Sequence, residues 1–336
     1  MLCCAARGGR MTARCLGLTV LVLACGCDPH DAVRAVRSHE EPGTAGDGKE
    51  GAVAVPAPAL PAGACSYDSQ APEVVRFGVT PYVGSEMVTR QFEPILAHLA
   101  RVTGLKFTMI VARDYEDLLR AVLDGSVDVV SFSPLLYVEA KETQPCLQLL
   151  AMQVSSGATF YSSYILVQED APYQSVEDLA GKRIAFGSTS SASGYLFPLA
   201  FLLDRGIVPE EFFGEVRFAR EHLDALGMLV KREVDAVATF ARVLQPARAA
   251  GLDVNNLRVL AVAGRVPFDA VCARAGFPQE SAALVQKGLL GLNGATPEGR
   301  RVLAGVIELG GWVMTDDSAY EPVRERLRRV RARGDR

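Results

Sequence analysis

The sequence has no surplus of positive charge: 35 Lys and Arg stand against 39 Asp and Glu, for a net charge of −4. A general nucleic-acid binder carries a basic excess, so that class is excluded for the chain as a whole, although one local basic or hydroxyl-lined pocket is not. Eight cysteines are present, but no CxxC pair and no Cys/His ligand spacing, which argues against a zinc site. There is no GxxxxGK[ST] phosphate loop and no GxSxG nucleophile elbow. The N-terminal apolar run LGLTVLVLA, Leu16 to Ala24, is nine residues long and too short to span a bilayer.

That short run has a different use. Arg7, Arg10 and Arg14 precede it, and Ala24-Cys25-Gly26-Cys27 follows, which is the layout of a signal peptide over residues 1–25. A cysteine directly after the apolar core resembles a bacterial lipobox, with Cys25 as the expected lipidation site and Cys27 as the second choice. An ordinary cleaved signal is the plain alternative, and Met11 is an alternative start. Residues 26–72 are rich in Pro, Gly, Ala and acidic residues, with Tyr67 the only aromatic. Such a segment buries too little apolar surface to offset its ordering entropy and is expected to be a tether. Cys3, Cys4 and Cys15 leave with the signal; Cys65 falls in the tether, and Cys146 and Cys272 in the folded part. One disulfide is compatible with this, its pairing unassigned.

Beyond Glu73 strands alternate with helices. Residues 74–80, 106–112 and 126–132 read as buried strands. Between them, Val88, Phe92, Ile95 and Leu99 give one helix an apolar face, with Pro94 predicting a kink or a late start. Asp114 caps a second helix whose Tyr115, Leu118, Leu119 and Val122 face inward, and Gly125 stops it. The rhythm restarts with strands at 161–168, 182–186, 215–219 and 234–240. Ser175 and Asp178 form a capping box, and helices fall near 193–205 and 222–232. Residues 257–263 read as a returning strand, followed by two or three helices. The fold class is α/β: two lobes, each a mainly parallel sheet flanked by helices, with the chain crossing twice between them. The expected division is 73–165 plus 258–336 for lobe 1 and 166–257 for lobe 2. The basic tail RERLRRVRARGDR reads as the solvated end of a helix, with contact to anionic lipid as the alternative.

In open α/β sheets ligands bind beyond the carboxyl ends of strands. The stretch STSSASGYLFP, residues 188–198, sits at such a place. Hydroxyls of Ser190, Ser191 and Ser193, a close backbone approach at Gly194, and the free N–H groups of a helix start together make an anion cradle that needs no lysine. The same stretch read as a loop with an N-cap needs no ligand. Tyr82 and Ser133 lie in loops after the first and third strands, and Tyr137 in the helix that follows Ser133; each is equally readable as packing. His222 starts a helix. With a loop serine and Asp235 it could form a hydrolytic triad, but the serines are clustered and no elbow is present.

From about Val74 onward the chain resembles the phosphate/phosphite/phosphonate-binding proteins of ABC importers. The resemblance is carried by RFGVTPY, DYEDLLRAVLDGSVDVVSFSPLLYVEA, SVEDLAGKRIAFGSTSSASGYLFPLAFLLDRGI, HLDALGMLVKREVDAVAT and ATPEGRRVLAGV, in that order. It implies a type II periplasmic-binding-protein fold with a two-stranded hinge, closing over a small phosphorus oxyanion. No catalysis, cofactor or metal is implied. It further implies an ABC permease as partner, an extracytoplasmic and membrane-anchored location, and a monomer. Ser191, Ser193 and Gly194 match the phosphoryl cradle, His222 the histidine beside the ligand, and Asp235 the aspartate of the next strand. Tyr82, Ser133 and Tyr137 match first-lobe positions. Two departures stand out. Ala192 replaces a threonine donor, a loss on the order of 1.5–3 kcal/mol, leaving Ser188, Thr189 or Ser190 to compensate. Residues 238–242, Ala-Thr-Phe-Ala-Arg, also lack the acid that meets the amine of aminoalkylphosphonates, so poor binding of those ligands is expected. A serine hydrolase and a ligand-sensing lobe without transport are the alternative functions.

Overall fold

The computed structural model describes residues 65–155, 157–306 and 309–334. The signal segment, Cys25, Cys27 and the tether up to residue 64 lie outside the described residues.

Strands β1 (Val75–Val79), β2 (Phe107–Val111) and β3 (Val129–Phe132) pair in parallel with β1 in the middle. Helices Ser85–Thr103 and Tyr115–Leu123 make the crossovers. Pro94 lies inside the first helix on its exposed face, where water can satisfy the carbonyl that the missing N–H leaves free. Asp114 caps the second helix by accepting from the Asp117 N–H at 2.7 Å, and Gly125 leaves the helix at φ +79°. Three further strands complete this sheet: β4 (Gln148–Val154), β10 (Ala270–Ala273) and β11 (Gly311–Val313), in the order β11-β4-β10-β3-β1-β2.

The second sheet runs β7 (Glu215–Phe218), β6 (Arg183–Phe186), β8 (Ala236–Phe240), β5 (Phe160–Gln168), β9 (Leu257–Pro267). β6 pairs in parallel with both β7 and β8, while β5 runs antiparallel to β8 and β9. The chain passes from β4 to β5 through residues 155–159 and returns from β9 to β10 through Phe268 and Asp269. A hydrogen bond from Phe268 N to Thr159 O ties these crossings together, as does one from Gln153 N to Asp269 O. The two crossings lie side by side at the base of the cleft between the sheets.

The end of the expected tether, residues 26–72, is not free: at Cys65 and Asp68 it is held to the folded part. Cys65 is disulfide-bonded to Cys146, Asp68 N donates to Gly276 O at 2.7 Å, and the Asp68 carboxylate meets Arg274 at 2.9 Å. Cys272 is a buried free thiol. In the closing helix Glu321–Gly334 the basic residues are engaged: Arg331 pairs with Glu142, Arg329 with Asp204, and Arg324 with Asp317.

Candidate ligand-binding site

After β6 the chain enters the serine stretch and then a wide π turn, Ala192–Leu196, continuous with helix Phe197–Leu203. The Tyr195 and Leu196 N–H groups both converge on Ser191 O, at 3.2 and 3.1 Å. The Ser191 hydroxyl accepts from Gly194 N at 3.0 Å and so caps the turn. Neither Ala192 N nor Ser193 N finds an acceptor among the described residues. These are the donors a helix start leaves over, and single π turns recur at functional sites. From β5, Ser163 Oγ donates to Ser193 O at 2.7 Å and fixes the turn from behind.

His222 opens the helix His222–Val230 and is buried, at 5% exposure. Its Nδ1 lies 3.0 Å from Thr239 Oγ1 and its Nε2 lies 3.4 Å from Ser191 Oγ. Burial lowers its pKa to about 4, so the imidazole is neutral at ordinary pH. It reaches the cradle as a neutral hydrogen-bonding group rather than as a cation.

Ser191, Ser193 and His222 line a cavity of about 120 Å³ together with Tyr82 and Ser133 from the facing loops. The facing wall carries more hydroxyls than the sequence suggested. Tyr115, read as core from its helical spacing, and Tyr161, at the start of β5, both open onto the cavity. Both phenols share the cavity wall with Ser191 and Ser193. Gln153, Arg242 and Asp269, with Thr80, Gln91 and Ser131, complete the polar lining. Arg242 donates to Ser155 Oγ. Asp269 lies at the crossing from β9 to β10, deep in the protein but open to the cavity, and burial raises its pKa to about 7. The cavity therefore carries one carboxylate, although residues 238–242 supply none.

Four expected positions are not on the cavity surface. Ser190 turns away: its Oγ donates to Glu116 Oε1 across the cleft at 3.1 Å, while its N–H takes Ser188 Oγ, so neither serine replaces the hydroxyl lost at Ala192. Gly194 lies just behind the wall, where a Cβ would come within 2.9 Å of His222 Cε1 and 3.1 Å of Ser191 Oγ. Asp235 precedes β8 at the end remote from the cleft, with its carboxylate taken by Arg183 N, Nε and Nη2 at 2.9–3.0 Å. That position also leaves Ser191 and His222 with Thr239, not a carboxylate, as third partner. Tyr137 is fully buried, its ring tilted against that of Tyr320 with centroids 4.4 Å apart, and its hydroxyl donates to Asp317 at 2.6 Å.

The two sides of the cleft touch. Ser133 Oγ donates to Ser190 O at 3.3 Å, His222 N to Tyr82 O at 3.1 Å, and Arg220 approaches Asp114 at 3.8 Å.

Residues 77–320 match the family model described as ABC transporter, phosphonate, periplasmic substrate-binding protein. The chain is 30% identical over 140 residues to the phosphate-import protein PhnD of Mycolicibacterium smegmatis, a match over 41% of this chain and 44% of that relative's length. It is 22% identical over 261 residues to the phosphonates-binding periplasmic protein of Escherichia coli, or 75% of each. Among solved structures, PhnD1 from Prochlorococcus marinus in complex with methylphosphonate superposes with a TM-score of 0.68 at 18% identity, over 77% of this chain and 98% of that one. The family match takes in β1 from Phe77 onward, both crossings and the serine turn, and by it this chain belongs to the periplasmic phosphonate-binding family of ABC-transporter substrate-binding proteins.

Proposed function

We propose that this protein captures a small phosphorus oxyanion (phosphate, phosphite or a simple phosphonate) by closure of two lobes and presents it to an ABC permease. The observation that carries the reading is the cavity itself: it is hydroxyl-lined, about 120 Å³, and includes the turn whose Ala192 and Ser193 N–H groups have no acceptor among the described residues. Pockets for drug-sized ligands run to roughly 300–1,000 Å³, so the guest is little larger than the anion. Ser191, Ser193 and the turn N–H groups hold it from one lobe, with His222 as a neutral partner. Tyr82, Tyr115 and Ser133 meet it from the other, and Tyr161 meets it from the start of β5, beside the crossing. Tyrosine hydroxyls thus make up for the donor lost at Ala192.

In this reading each sheet is the core of one lobe; the expected bounds, 73–165 plus 258–336 and 166–257, cut through β5 and β9, which belong to the second sheet and lead into the two crossings that act as hinge. Lipidation at Cys25 and the tether would hold a monomeric receptor near an extracytoplasmic membrane surface, within reach of the permease. The contact between Ser191 and His222, at 3.4 Å, is the one feature favouring a hydrolase. The Ser191 oxygen is already occupied by Gly194 N, however, and no carboxylate orients the histidine, which argues against it.

A thermal-shift panel of phosphate, phosphite, methylphosphonate and sulfate, followed by calorimetry, tests the proposal. A specific ligand at 100 times its Kd should stabilise by about 2.7 kcal/mol. No shift from any phosphorus oxyanion, or turnover of phosphate or carboxyl esters, would overturn it.

A further inference from the structure

Besides the two crossings at the base of the cleft, the closing helix makes a third connection between the sheets. After β11, in the first sheet, the turn Asp317–Tyr320 stays on that side: Tyr320 packs on Tyr137 of helix Pro134–Thr143, and its hydroxyl donates to Phe268 O at 3.1 Å. Helix Glu321–Gly334 then lies against Phe197–Leu203, the helix that continues the cradle turn. Arg326 sits over the Phe197 ring, 4.2 Å from its centroid, Arg333 donates to Leu203 O, and Arg329 approaches Asp204 at 3.7 Å. Arg331 reaches back to Glu142 on Pro134–Thr143 at 3.1 Å. Val323 and Leu327 are buried in one apolar cluster with Tyr137 from the first side and Leu196 and Phe197 from the second.

Phe197 is part of the cradle's frame. Its N–H donates to Ala192 O and closes the π turn that carries the unpartnered N–H groups of Ala192 and Ser193. Its ring fills a slot that a glycine leaves open: Gly264 of β9 has φ +141°, and a Cβ there would come within 2.9 Å of Phe197 Cδ1 and 3.3 Å of Arg326 Nη2. The cradle is thus braced from behind by a helix whose chain arrives from the first sheet. Helices Pro134–Thr143 and Phe197–Leu203 both lead away from the cleft, one from Ser133 and the other from the serine turn. A hinge motion that parts their starts turns one helix against the other, and a single helix lying on both cannot follow the two.

We infer that the closing helix is a strap between the lobes, and that Arg329 and Arg333, by holding it to the end of the cradle helix, favour the closed form. The inference rests on the proposed two-lobe closure and adds a third crossing to its hinge. The first turn of the strap is fixed beside Tyr320, so the contacts given up on opening are those of its later turns with Phe197–Leu203. Both arginines sit at the C-terminal end of that helix, where its last carbonyls and Asp204 gather negative charge. Ligand affinity then depends on side chains that never touch the guest, through the fraction of protein already closed.

Small-angle scattering of the full-length protein without ligand, together with stopped-flow release of inorganic phosphate, tests the strap. Arg329→Glu combined with Arg333→Glu sets two acids against Asp204 and the Leu203 carbonyl, and both positions are exposed. The double variant should have a larger ligand-free radius of gyration than wild type, release phosphate faster and bind it roughly threefold to tenfold more weakly. At saturating phosphate the two radii should converge, and adding Asp204→Arg, which restores attraction with the signs exchanged, should bring the ligand-free radius back. Arg328→Glu is the control: Arg328 pairs with Glu321 of its own helix, and its loss should leave radius and release as in wild type. An unchanged ligand-free radius in the double variant, or equal enlargement in R328E, overturns the inference and leaves the oxyanion function standing. Hydrogen exchange on the wild type needs no variant: saturating phosphate should slow exchange across residues 321–334, and equal exchange with and without it overturns the strap. Binding of no oxyanion by the wild type removes the functional reading instead, and the ligand-free radii still decide the strap.

Discussion

His222 and Asp269 face one cavity with pKa values displaced in opposite senses, to about 4 and about 7, both by burial. For His222 the unfolded chain binds the proton first on acidification, so its contribution to stability is present above pH ~6.5 and is lost as pH falls toward 4. For Asp269 the folded state holds the proton, so its contribution is present below pH ~4 and is lost as pH rises toward 7. Each window is worth on the order of 3 kcal/mol, less for Asp269 because cavity water hydrates its charge. Across pH 4–6.5 the two slopes oppose. Denaturation of the wild type should therefore show a shallow pH dependence there, that of D269N a stability rising with pH, and that of His222→Gln a stability falling with pH. Parallel curves for all three would mean that the two groups are not buried as described. Gly194 supplies a second residue-scale test. A methyl group there meets His222, Ser191 and the Gly187 backbone at 2.9, 3.1 and 3.2 Å, whereas one at Gly187 meets nothing nearer than 3.4 Å. Gly194→Ala should cost about 1–3 kcal/mol of stability and weaken oxyanion binding at least tenfold by calorimetry; Gly187→Ala should do markedly less.

Asp235 and Tyr137 show what an element does to a residue that sequence pattern alone marks as functional. β8 carries its N-terminal end away from the cleft, so Asp235 meets the Arg183 main chain and guanidinium there, while Thr239, four residues on, meets His222. Asp235→Asn should lower stability by about 1–2 kcal/mol, the pair being partly exposed, and leave the Kd for phosphate within about twofold. A large loss of affinity would return Asp235 to the site. The strands that sequence pattern picks out, such as β1, β3, β5 and β8, are buried runs bounded by turn residues. β10 and β11 are not legible that way, with four and three residues respectively, and become strands only by pairing with β3 and β4, which lie far away in the chain. Asp269 shares that fate: in Pro267-Phe268-Asp269-Ala270 it reads as a turn acid, and only the β9-to-β10 return brings it beneath the cradle. The Cys65–Cys146 bridge also joins segments that no spacing rule pairs. It closes a separation of 81 residues, so the double variant Cys65→Ser, Cys146→Ser should lose about 2–4 kcal/mol in denaturant melts, with ligand affinity unchanged.

The βαβ rhythm makes the two α/β halves legible, and the serine stretch makes its helix-start turn legible, because both are written in local sequence. How the lobes meet is not local. Ser190 was read as a ligand donor, yet its hydroxyl reaches Glu116, and its carbonyl accepts from Ser133, across the cleft. These contacts, with His222 N to Tyr82 O, join residues on opposite sides of the cleft, and the proposed hinge opening would break them. An apparent Kd equals the intrinsic Kd divided by the closed fraction, so weakening the latch weakens binding by a residue that never touches the guest. Glu116→Ala removes the acceptor for Ser190 and spares the Asp114 cap of the same helix. One such hydrogen bond is worth about 1 kcal/mol, or roughly fivefold in Kd, expressed chiefly as faster release. Stopped-flow dissociation of phosphate should speed up accordingly, and small-angle scattering of the ligand-free variant should give a larger radius of gyration than wild type, with the two converging at saturating phosphate. Unchanged release together with an unchanged ligand-free radius would show that the Ser190 bridge plays no part in holding the lobes shut, and would move the latch to Tyr82 and His222.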